Sequence, residues 1–454
     1  MRDADAAALA EVDDSDVFVR RAGYSVAVAA KQMMRGAYGK RVVVVAGRGN
    51  NGNDGRIAAR WLESWGASVR HVPADEAGEA FIDSRRCDLV IDAAYGIGLR
   101  GPWSPPIVMD VPVLAVDVPS GLDATTGEIP GGILVADRTV TFAAVKTGML
   151  FGDGPSVCGE VDVVDVGIDP PADLMTHLVD SGDVARWLVP RDRHAHKWRH
   201  AVRVIAGSPG MQGAASLTCA AAMRAGASMV HLSWRGAVDS LQPPVEVVGH
   251  VLPATGWAGH LAADISRFRS LVIGPGLGRG DDVGAEIRDV LASTAIPVVV
   301  DGDALAGAID PTGTHATLRS RPAPTILTPH DGEFAVLGGD AVRSDRVEAV
   351  RALAEATQCV VVRKGPTTIV CHPDGRVHLS VAGDERLATA GTGDVLSGII
   401  GAFVARGLDP FVAATAAVHV HGLAGSSCPR SATIARDVVS ALPDVLGGLE
   451  SHVG

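Results

Sequence analysis

The stretch AGTGDVLSG, residues 390–398, combines glycines and small side chains with a single carboxylate. The apolar run that follows it predicts a helix, with Asp394 in the first turn. Free backbone amides at a helix start, together with the helix dipole, bind anions such as a phosphoryl group. A carboxylate there repels phosphate unless it has chemical work to do, such as taking a proton from an attacking hydroxyl. This context favours a catalytic base over an aspartate that only caps the helix.

A second stretch, GRGNNGNDG at residues 47–55, directly follows the apolar run VVVVA. Its glycines would permit positive φ and a close backbone approach to a pyrophosphate. Asn50, Asn51 and Asn53 offer amide oxygens and Asp54 offers a carboxylate. Such hard oxygen ligands suit a cation beside a bound phosphate. Asparagine, glycine and aspartate are also favoured in plain turns, so the loop by itself leaves both interpretations open.

Ionisable residues follow other apolar runs in the first half of the chain. Asp92 lies in VIDAAYGIGLRGP, Asp117 and Ser120 lie in VDVPSGLD, and Lys146 lies in TFAAVKTGM. A single aspartate at a strand end is more often a cap or a turn former than a catalyst. Several such ends, each with an ionisable residue, favour a shared site, because ligands of parallel sheets bind beyond the carboxyl ends of the strands.

Similar residues follow apolar runs in the second half. The motif TPHDGE carries His330 and Glu333, KGPTT begins with Lys364, and DGDAL brings Asp301 and Asp303 to a strand end. Taken alone, His330 is equally consistent with a structural residue, and Lys364 is consistent with a surface charge. Lys364 is also suited to nucleotide phosphates. Magnesium carried with a nucleotide is a reasonable partner, and no dedicated metal cage is visible in the sequence.

Alternating elements must position these residues. The run RVVVVAG, 41–47, predicts a buried strand, and Ile57, Trp61 and Trp65 share one face of a helix predicted over 54–66. The strand–helix–strand rhythm continues along the whole chain, and it predicts parallel sheets covered by helices. The fold class is therefore α/β, and the polar clusters fall at the carboxyl ends of the predicted strands.

The length predicts two domains, because 454 residues exceed what one ordinary core accommodates. A polar, proline-bearing segment around 178–200 separates two series of apolar runs, and it predicts a boundary near Asp183. The domains predicted on this basis span 1–178 and 183–454. No internal sequence repeat relates them, so they are predicted to be two different α/β domains.

Composition excludes several classes of protein. The net charge of −12 argues against a nucleic-acid partner bound through a broad basic surface. The six cysteines are scattered without a C-x-x-C pair, which argues against disulfides or zinc and fits a reducing cytosol. No apolar run approaches the roughly 18 residues of a membrane span, and the first residues show no signal core. We expect a cytoplasmic protein without membrane contact.

Four first-half motifs together resemble the NAD(P)H-hydrate epimerase family: GNNGNDG, DAAYGIGLRG, VDVPSGLD and TFAAVKTG, within residues 1–175. That family interconverts the R and S epimers of hydrated NADH or NADPH with a bound potassium ion. The resemblance implies a Rossmann-like α/β/α sandwich, with Lys146 and Asp117 as the catalytic acid–base pair. The potassium ligands that it implies are Asn51, Asp92 and Ser120. The residues implied to line the hydrate are Asn50, Asn51, Gly52, Asn53, Asp54, Gly96, Ile97, Gly98, Leu99, Arg100, Gly101, Pro102 and Asp117.

One position departs from that family, which usually has glycine where this chain has Asn53. If the position requires positive φ, asparagine is the least costly replacement for glycine, because its short polar side chain tolerates the left-handed region. On this reasoning the turn, and with it the epimerase activity, is expected to survive the substitution.

Four second-half motifs, GPGLG, TPHDGE, KGPTT and AGTGDVLSG, resemble in order the ADP/ATP-dependent NAD(P)H-hydrate dehydratase family, which has a ribokinase-like fold, across residues 190–450. The resemblance implies phosphorylation of the hydrate's hydroxyl, with Asp394 as the base, and then loss of phosphate. Magnesium and an adenine nucleotide are implied, and ADP is favoured over ATP. The implied nucleotide contacts are Lys364, Gly365, Pro366, Thr367, Thr368 and Gly393. The implied hydrate contacts are Ala214, Gly276, His330 and Asp394.

The sequence therefore predicts a bifunctional isomerase and lyase that repairs hydrated NADH and NADPH, and we expect a homo-oligomer. A Rossmann dehydrogenase would use an acidic residue such as Asp75 to hold a ribose, but no residue nearby suits hydride transfer. A ribokinase-like small-molecule kinase is the alternative for the second half. A non-catalytic nucleotide sensor would need neither Lys146 nor Asp394.

Overall fold

The structure is a computed structural model that describes residues 16–99, 101–169, 174–188, 193–194, 196–236, 242–261 and 264–451. The chain divides into two compact units, Met1–Leu174 and Met175–Gly454. The larger sheet of each unit belongs to that unit alone. This agrees with the expectation that 454 residues form two cores.

In the first unit α-helices and strands alternate only up to the second strand, and five more strands follow before the third helix. Its elements are α1 (Asp16–Met33), β1 (Arg41–Ala46), α2 (Asn50–Ser64), β2 (Ser68–Pro73), β3 (Phe81–Asp83), β4 (Leu89–Ala93), β5 (Ile107–Met109), β6 (Val113–Val116), β7 (Arg138–Phe142), α3 (Gly154–Val157) and β8 (Glu160–Val164). Six strands form a sheet in the order β2-β1-β4-β6-β7-β8, and every neighbouring pair is parallel. β3 and β5 form a separate parallel pair.

The central strands of this sheet are buried on both faces. Along β1, Val42 and Val44 pack into a core on one face with residues of α1 and α2. Val43 and Val45 pack into a second core on the opposite face, which includes Trp103. A parallel sheet covered on both sides requires such continuous apolar strands. The unit is therefore a three-layer sandwich whose polar groups concentrate at the ends of the strands.

The second unit mostly alternates strands with one or two helices, then has three successive strands followed by three helices. Its elements are β9 (Thr176–Leu178), α4 (Ser181–Trp187), β10 (Ala201–Ile205), α5 (Gln212–Arg224), β11 (Met229–Arg235), β12 (Val248–Leu252), α6 (Trp257–Leu261), β13 (Ser270–Ile273), α7 (Asp281–Ser293), β14 (Val298–Val300), α8 (Asp303–Gly307), α9 (Ala316–Arg319), β15 (Thr325–Leu327), α10 (Asp331–Val336), α11 (Arg346–Thr357), β16 (Val360–Arg363), β17 (Thr368–Cys371), β18 (Val377–Ser380), α12 (Thr392–Ala405), α13 (Pro410–Ser427) and α14 (Ala435–Glu450). The ten strands follow the order β12-β11-β10-β13-β14-β15-β16-β17-β18-β9. Only the two pairs that contain β17 are antiparallel.

Helix α12 packs closely against both the sheet and α5. A side chain at Gly398 would overlap the backbone carbonyl of Thr218, and one at Gly401 would lie 2.5 Å from Val272. The Ser270 hydroxyl donates to the Gly401 carbonyl at 2.7 Å. Glycine is therefore needed inside this helix because neighbouring backbone occupies the space of a side chain. The close approach fixes the start of α12, where Asp394 lies.

The boundary between the units lies earlier than predicted. The strand Thr176–Leu178 pairs with β18 of the second sheet, although the sequence interpretation ended the first domain at residue 178. The polar residues taken as a linker begin a helix instead, since Asp180 and Asp183 form a reciprocal N-terminal cap on α4. A three-residue strand is too short to show a periodic pattern.

A membrane-spanning helix would need a long, almost uncharged apolar stretch. None of the helices in the described part of the chain meets that requirement.

We expect Gly398→Ala to lower the free energy of unfolding by about 1–3 kcal/mol, because the added methyl group would meet the Thr218 carbonyl. Helix propensity by itself predicts the opposite sign. Gly447→Ala in α14 is the matched control, since a side chain there meets open space. Urea unfolding of both variants tests this. A Gly398→Ala variant as stable as Gly447→Ala would contradict the packing argument.

Candidate active sites in the two units

The glycines of GRGNNGNDG serve close packing rather than left-handed backbone. Gly47, Gly52 and Gly55 all have negative φ. A side chain at Gly47 would overlap the Ala94 carbonyl, one at Gly52 would overlap the Gly47 carbonyl, and one at Gly55 would lie 2.5 Å from Ala93. These glycines allow close packing within the protein, and the close approach to a pyrophosphate stays a prediction; the positive φ is absent at all three. The helix also begins at Asn50 rather than at the predicted residue 54.

Asn53 lies in the first turn of α2 and is exposed. Its side-chain oxygen accepts a hydrogen bond from Arg56 Nη1 at 2.9 Å, and Arg56 Nη2 donates to the Gly47 carbonyl at 2.6 Å. The position does not require positive φ, because Asn53 lies in a helix. Asparagine has a higher helix propensity than glycine, so the substitution does not strain the loop.

A buried lysine lies at the carboxyl edge of the first sheet. Lys146 is 6% exposed, and its ammonium donates to an Asp117 carboxylate oxygen, to Thr141 Oγ1 at 2.8 Å and to the Phe142 carbonyl at 3.0 Å. Three acceptors satisfy all of its donors. Asp117 itself has φ of 68°, a conformation that costs a non-glycine residue roughly 1–2 kcal/mol. Strain of this kind is typical of functional sites.

The lysine and aspartate line a cavity of about 450 Å³. Asp54 lines it as well, and burial, followed by the charge of Asp117, raises the pKa of Asp54 to about 8. This carboxyl group is therefore largely protonated at neutral pH. The cavity is thus lined by the Lys146 ammonium, the Asp117 carboxylate and the protonated carboxyl group of Asp54.

The structure brings most of the predicted hydrate-binding residues of this unit to the cavity wall. Those that line it are Asn50, Asn51, Asp54, Gly96, Ile97, Gly98, Leu99 and Asp117. Gly52, Asn53, Gly101 and Pro102 are not among the lining residues: Gly52 packs on the Gly47 carbonyl, and Pro102 packs near Gly131. Arg100 lies outside the described residues.

Sequence reasoning missed the other wall of this cavity. Helix α1 contributes Phe18, Val19 and Ala22, and Phe142 lies beside Lys146. The Arg21 guanidinium donates to the Val166 carbonyl at 3.1 Å and so holds α1 against the loop after β8. The apolar residues of α1 look like ordinary core in the sequence, and no local signal distinguishes the ones that face a ligand.

The three residues predicted to bind potassium were tested against the geometry. Asp92 is fully buried and accepts hydrogen bonds from the Ser120 amide at 2.8 Å and the Ser120 hydroxyl at 2.6 Å. Burial raises the pKa of Asp92 to about 6. The Asn51 side-chain amide is buried, and within the described structure neither its oxygen nor its nitrogen has a hydrogen-bond partner. An unpaired amide oxygen fits a hard cation.

Among the described residues, no group of three or more His, Cys, Asp or Glu side chains is placed to hold a metal ion. The three residues predicted to bind potassium offer a carboxylate, an amide and a hydroxyl oxygen, which are hard ligands unlike the sulfur and nitrogen ligands typical of zinc.

In the second unit Asp394 occupies the first turn of α12 and is half-buried. The helix is preceded by Gly391 at φ of 93°, where a side chain would lie 2.6 Å from Leu217. Burial, followed by the charge of Asp301, raises the pKa of Asp394 to about 7, although Lys364 opposes the shift. A carboxylate that titrates near neutrality suits a general base.

A buried ion pair lies next to this helix start. Asp301 is 2% exposed and accepts hydrogen bonds from Lys364 Nζ at 3.1 Å, from Thr328 Oγ1 at 2.7 Å and from Ser397 Oγ at 2.6 Å. Burial opposes ionisation of Asp301, but Lys364 and the two hydroxyls outweigh it and hold its pKa below the ordinary value. A side chain at Gly393 would lie 3.5 Å from Lys364 Nζ. The predicted lysine and the glycine-rich helix start therefore meet.

The remaining residues predicted to contact the hydrate, Ala214, Gly276 and His330, do not all lie in one place. Gly276 has φ of 58°, and a side chain there would lie 3.1 Å from Ala214, so these two residues are neighbours. His330 caps α10: its Nδ1 accepts from the amides of Gly332 at 3.0 Å and Glu333 at 3.2 Å, and the ring is 61% exposed. The structure therefore shows that His330 caps the helix, and its Nε2 lies 3.5 Å from Glu333 Oε2.

The predicted nucleotide loop joins β16 to β17. Lys364 follows β16 directly, and its backbone amide donates to the Pro329 carbonyl at 2.9 Å. Thr368 Oγ1 donates to the Gly365 carbonyl at 3.1 Å and closes the turn. Pro366 is exposed and Thr367 is buried. The turn therefore begins at Lys364, the residue that pairs with Asp301.

The sheet edges, the lysine–aspartate pairs and the glycine-rich helix starts define a two-domain α/β enzyme of the nucleotide-binding class. The sequence pattern of the family described as NAD(P)H-hydrate dehydratase matches residues 202–444. The pattern described as YjeF-related protein N-terminus matches 15–80 and 72–148.

Known proteins are similar in sequence to this chain over nearly its whole length. It is 33% identical to the bifunctional NAD(P)H-hydrate repair enzyme of Moorella thermoacetica, over 97% of this chain and 94% of that protein. It is 36% identical to the enzyme of the same name from Mycobacterium tuberculosis, over 90% of this chain and 88% of that protein. The chain therefore belongs to the family of bifunctional NAD(P)H-hydrate repair enzymes, with an epimerase domain followed by an ADP/ATP-dependent dehydratase domain.

Solved structures of other proteins are similar in fold to the second unit. The ADP/ATP-dependent NAD(P)H-hydrate dehydratase of Bacillus subtilis, co-crystallised with ATP and Mg²⁺, is 30% identical with a TM-score of 0.53, covering 60% of this chain and 99% of that chain. A ribokinase-like protein of Enterococcus faecalis shares the fold at 19% identity and a TM-score of 0.51, covering 62% of this chain and 99% of that chain. The predicted fold class, enzyme class and function are confirmed.

We expect Asp394→Asn to be more stable than the native chain at high pH. The folded-state pKa of about 7 lies above the ordinary aspartate pKa of 3.8, so ionisation destabilises the native protein as pH rises between these values. The stability advantage of the variant should be small near pH 4 and reach a plateau above about pH 7. Thermal unfolding midpoints across this range test it. An advantage independent of pH would contradict the burial of this carboxyl group.

Proposed function

We propose that Lys146 and Asp117 exchange protons with the hydrate in the epimerase reaction. The R and S hydrates differ at the carbon that carries both the added hydroxyl and the ring nitrogen. Inverting that carbon requires one of these bonds to break and re-form, with a proton moved each way. The observation that carries this proposal is the buried Lys146–Asp117 pair in a cavity of about 450 Å³.

Other residues of this cavity support the same reaction. Asp54 is protonated near neutral pH because its pKa is raised to about 8, and it is placed to donate to a departing oxygen or nitrogen. Asn50, Gly96, Gly98 and Leu99 line the cavity and hold the hydrated nucleotide. The apolar wall from α1 excludes water from the reacting carbon.

We propose that Asn51, Asp92 and Ser120 hold the potassium ion. The unpartnered amide of Asn51 supports this, and Asp92 provides a buried negative charge whose present partner is Ser120. A potassium ion bound there supplies positive charge for the phosphates of the substrate. Asn51 lies in the first turn of α2, where free backbone amides also favour anions.

In the second unit Asp394 takes the proton from the hydrate's hydroxyl as the oxygen attacks the terminal phosphate of the nucleotide. The phosphorylated hydrate then loses phosphate and a ring proton, which restores the dihydronicotinamide. Phosphate is a better leaving group than hydroxide, so the dehydration is driven by phosphoryl transfer. The half-buried Asp394, with a pKa of about 7, supports this role.

The nucleotide is held by Lys364, Thr367, Thr368 and Gly393, and the neighbouring Gly365 and Pro366 shape the turn. Asp301 holds Lys364 in place through the 3.1 Å contact. The hydrate contacts Ala214, Gly276 and His330 together with Asp394. Magnesium accompanies the nucleotide, as in the Bacillus subtilis relative with ATP and Mg²⁺. We propose ADP as the physiological donor. A homo-oligomer and a cytoplasmic location stay predictions from the sequence.

Purified protein mixed with R-rich hydrated NADH, potassium, magnesium and ADP should recover the near-ultraviolet absorbance of the dihydropyridine completely. Lys146→Ala should halt recovery at the S fraction, because removing a proton carrier typically slows a step by about 10²–10⁴-fold. Asp394→Ala should abolish recovery. Recovery should slow as pH falls below about 7, where Asp394 is protonated.

Two outcomes would contradict this assignment. No recovery with either ADP or ATP would exclude the repair reaction in this protein. A stable phosphorylated product without dihydropyridine would favour the ribokinase-like kinase alternative. Parallel reactions with ATP in place of ADP decide the donor.

The potassium site has its own test. Replacing potassium chloride by tetramethylammonium chloride should slow epimerisation, and Asn51→Ala should be slow in both salts because a ligand is lost. Asn53→Ala is the matched control: this exposed asparagine of the same loop does not line the cavity, and the variant should keep the salt dependence. An Asn51→Ala variant with unchanged potassium dependence would place the ion elsewhere.

A further inference from the structure

A second cavity of the first unit, of about 980 Å³, adjoins the first one. Gly49 and Tyr95 line both cavities, so a single ligand can pass between them. The second cavity is walled by residues at the carboxyl ends of β1 and β2 and by the outer face of α2. None of its arginines has a role in the proton transfers proposed above.

The position of α2 assigns one half of the substrate to each cavity. The helix begins at Asn50, at the junction of the two cavities, and its free amides are suited to a pyrophosphate. The hydrated ring must reach Lys146 and Asp117 in the first cavity. The other nucleoside of the dinucleotide then extends past Gly49 into the second cavity. This step rests on the proposed epimerase function.

The charges of the second cavity indicate which nucleoside fits. In Rossmann-like sheets an acidic residue after the second strand binds the ribose hydroxyls and rejects a 2′-phosphate. Here Asp75 has that position, but the Arg48 guanidinium pairs with it at 2.8 Å. The exposed carboxylate is thus paired with a residue of the glycine-rich loop itself, which reduces its repulsion of a phosphate.

The guanidinium groups of Arg56 and Arg60 indicate that the second cavity binds an anion. Arg56 donates only to uncharged oxygens of Asn53 and Gly47, and Arg60 lies one helical turn further along α2 in the same cavity. In the described part of the chain neither has a carboxylate within ion-pair distance, although Glu63 and Glu76 also line the cavity. His71 projects from β2 into the same space.

We propose that this second cavity binds the adenosine half of the hydrate, and that Arg48, Arg56 and Arg60 bind its ribose 2′-phosphate. The epimerase domain therefore prefers hydrated NADPH over hydrated NADH. Guanidinium groups match phosphate oxygens in pairs, which gives geometric selectivity as well as charge. A hydrogen bond to a charged group is worth a factor of roughly 10–100 in binding.

The test uses the full chain with potassium and without adenine nucleotide, so that only epimerisation occurs. The rate of R-to-S conversion is measured for hydrated NADPH and hydrated NADH by chromatographic separation of the epimers. We expect native kcat/KM to favour hydrated NADPH by about 10-fold or more, with the difference mainly in KM. Arg60→Gln should raise KM for hydrated NADPH alone, because Arg60 has no ion-pair partner to lose in the described structure.

Arg70→Gln is the matched control, since Arg70 is the exposed neighbour of His71 on β2 and lines neither cavity. Its kinetics should match the native protein. Arg48→Gln should lower KM for hydrated NADH, because Asp75 is then free to accept the ribose hydroxyls.

Equal kcat/KM for the two hydrates in the native protein would overturn the inference while leaving the epimerase assignment intact. The same would follow if Arg60→Gln impaired both hydrates equally. Failure to epimerise either hydrate would instead refute the proposed function of the first unit.

Discussion

A lysine–aspartate ion pair at the carboxyl edge of a parallel sheet is the interaction on which each site depends. Lys146 pairs with Asp117 in the first unit, and Lys364 pairs with Asp301 in the second. The central strands of both sheets are buried on both faces, so an isolated charge at their ends would be costly. Pairing offsets the cost of placing these charges there, and removal of either partner would leave a largely buried charge uncompensated.

The helix starts beside these ion pairs have free amides that suit anions. Each helix can lie where it does because glycine has no side chain at the contact. Helix α2 reaches its position because Gly52 passes directly over the Gly47 carbonyl. Helix α12 does so because Gly398 packs on the backbone of α5. In both units glycine brings the free amides of a helix close to a lysine and a carboxylate. The same arrangement fits the two proposed reactions, proton exchange at a carbon in one unit and phosphoryl transfer in the other, because different groups lie beside it.

Much of this arrangement could be predicted from the sequence. The main predicted strands, the strand-end positions of Asp92, Asp117 and Lys146, and the placement of Asp394 in a first helical turn are all local patterns, and each was confirmed. The helices expected between the later strands of the first unit are absent from the described residues. The left-handed backbone that the glycines of this loop permitted is absent at Gly47, Gly52 and Gly55, because they serve close packing, and Asn53 lies in a helix. The domain boundary was misplaced because β9 pairs with a strand that is distant in sequence.

The sequence by itself determined the fold class and the inventory of reactive groups, because hydrophobic periodicity and motif spacing are properties of neighbouring residues. Only the tertiary structure decided which groups meet and how they titrate. The raised pKa values of Asp54 and Asp394 arise from burial and from the charges of Asp117 and Asp301, which other strands supply. The apolar wall from α1 and the pairing of Arg48 with Asp75 likewise depend on contacts between distant segments. Desolvation and charge proximity are three-dimensional quantities, and no linear pattern encodes them.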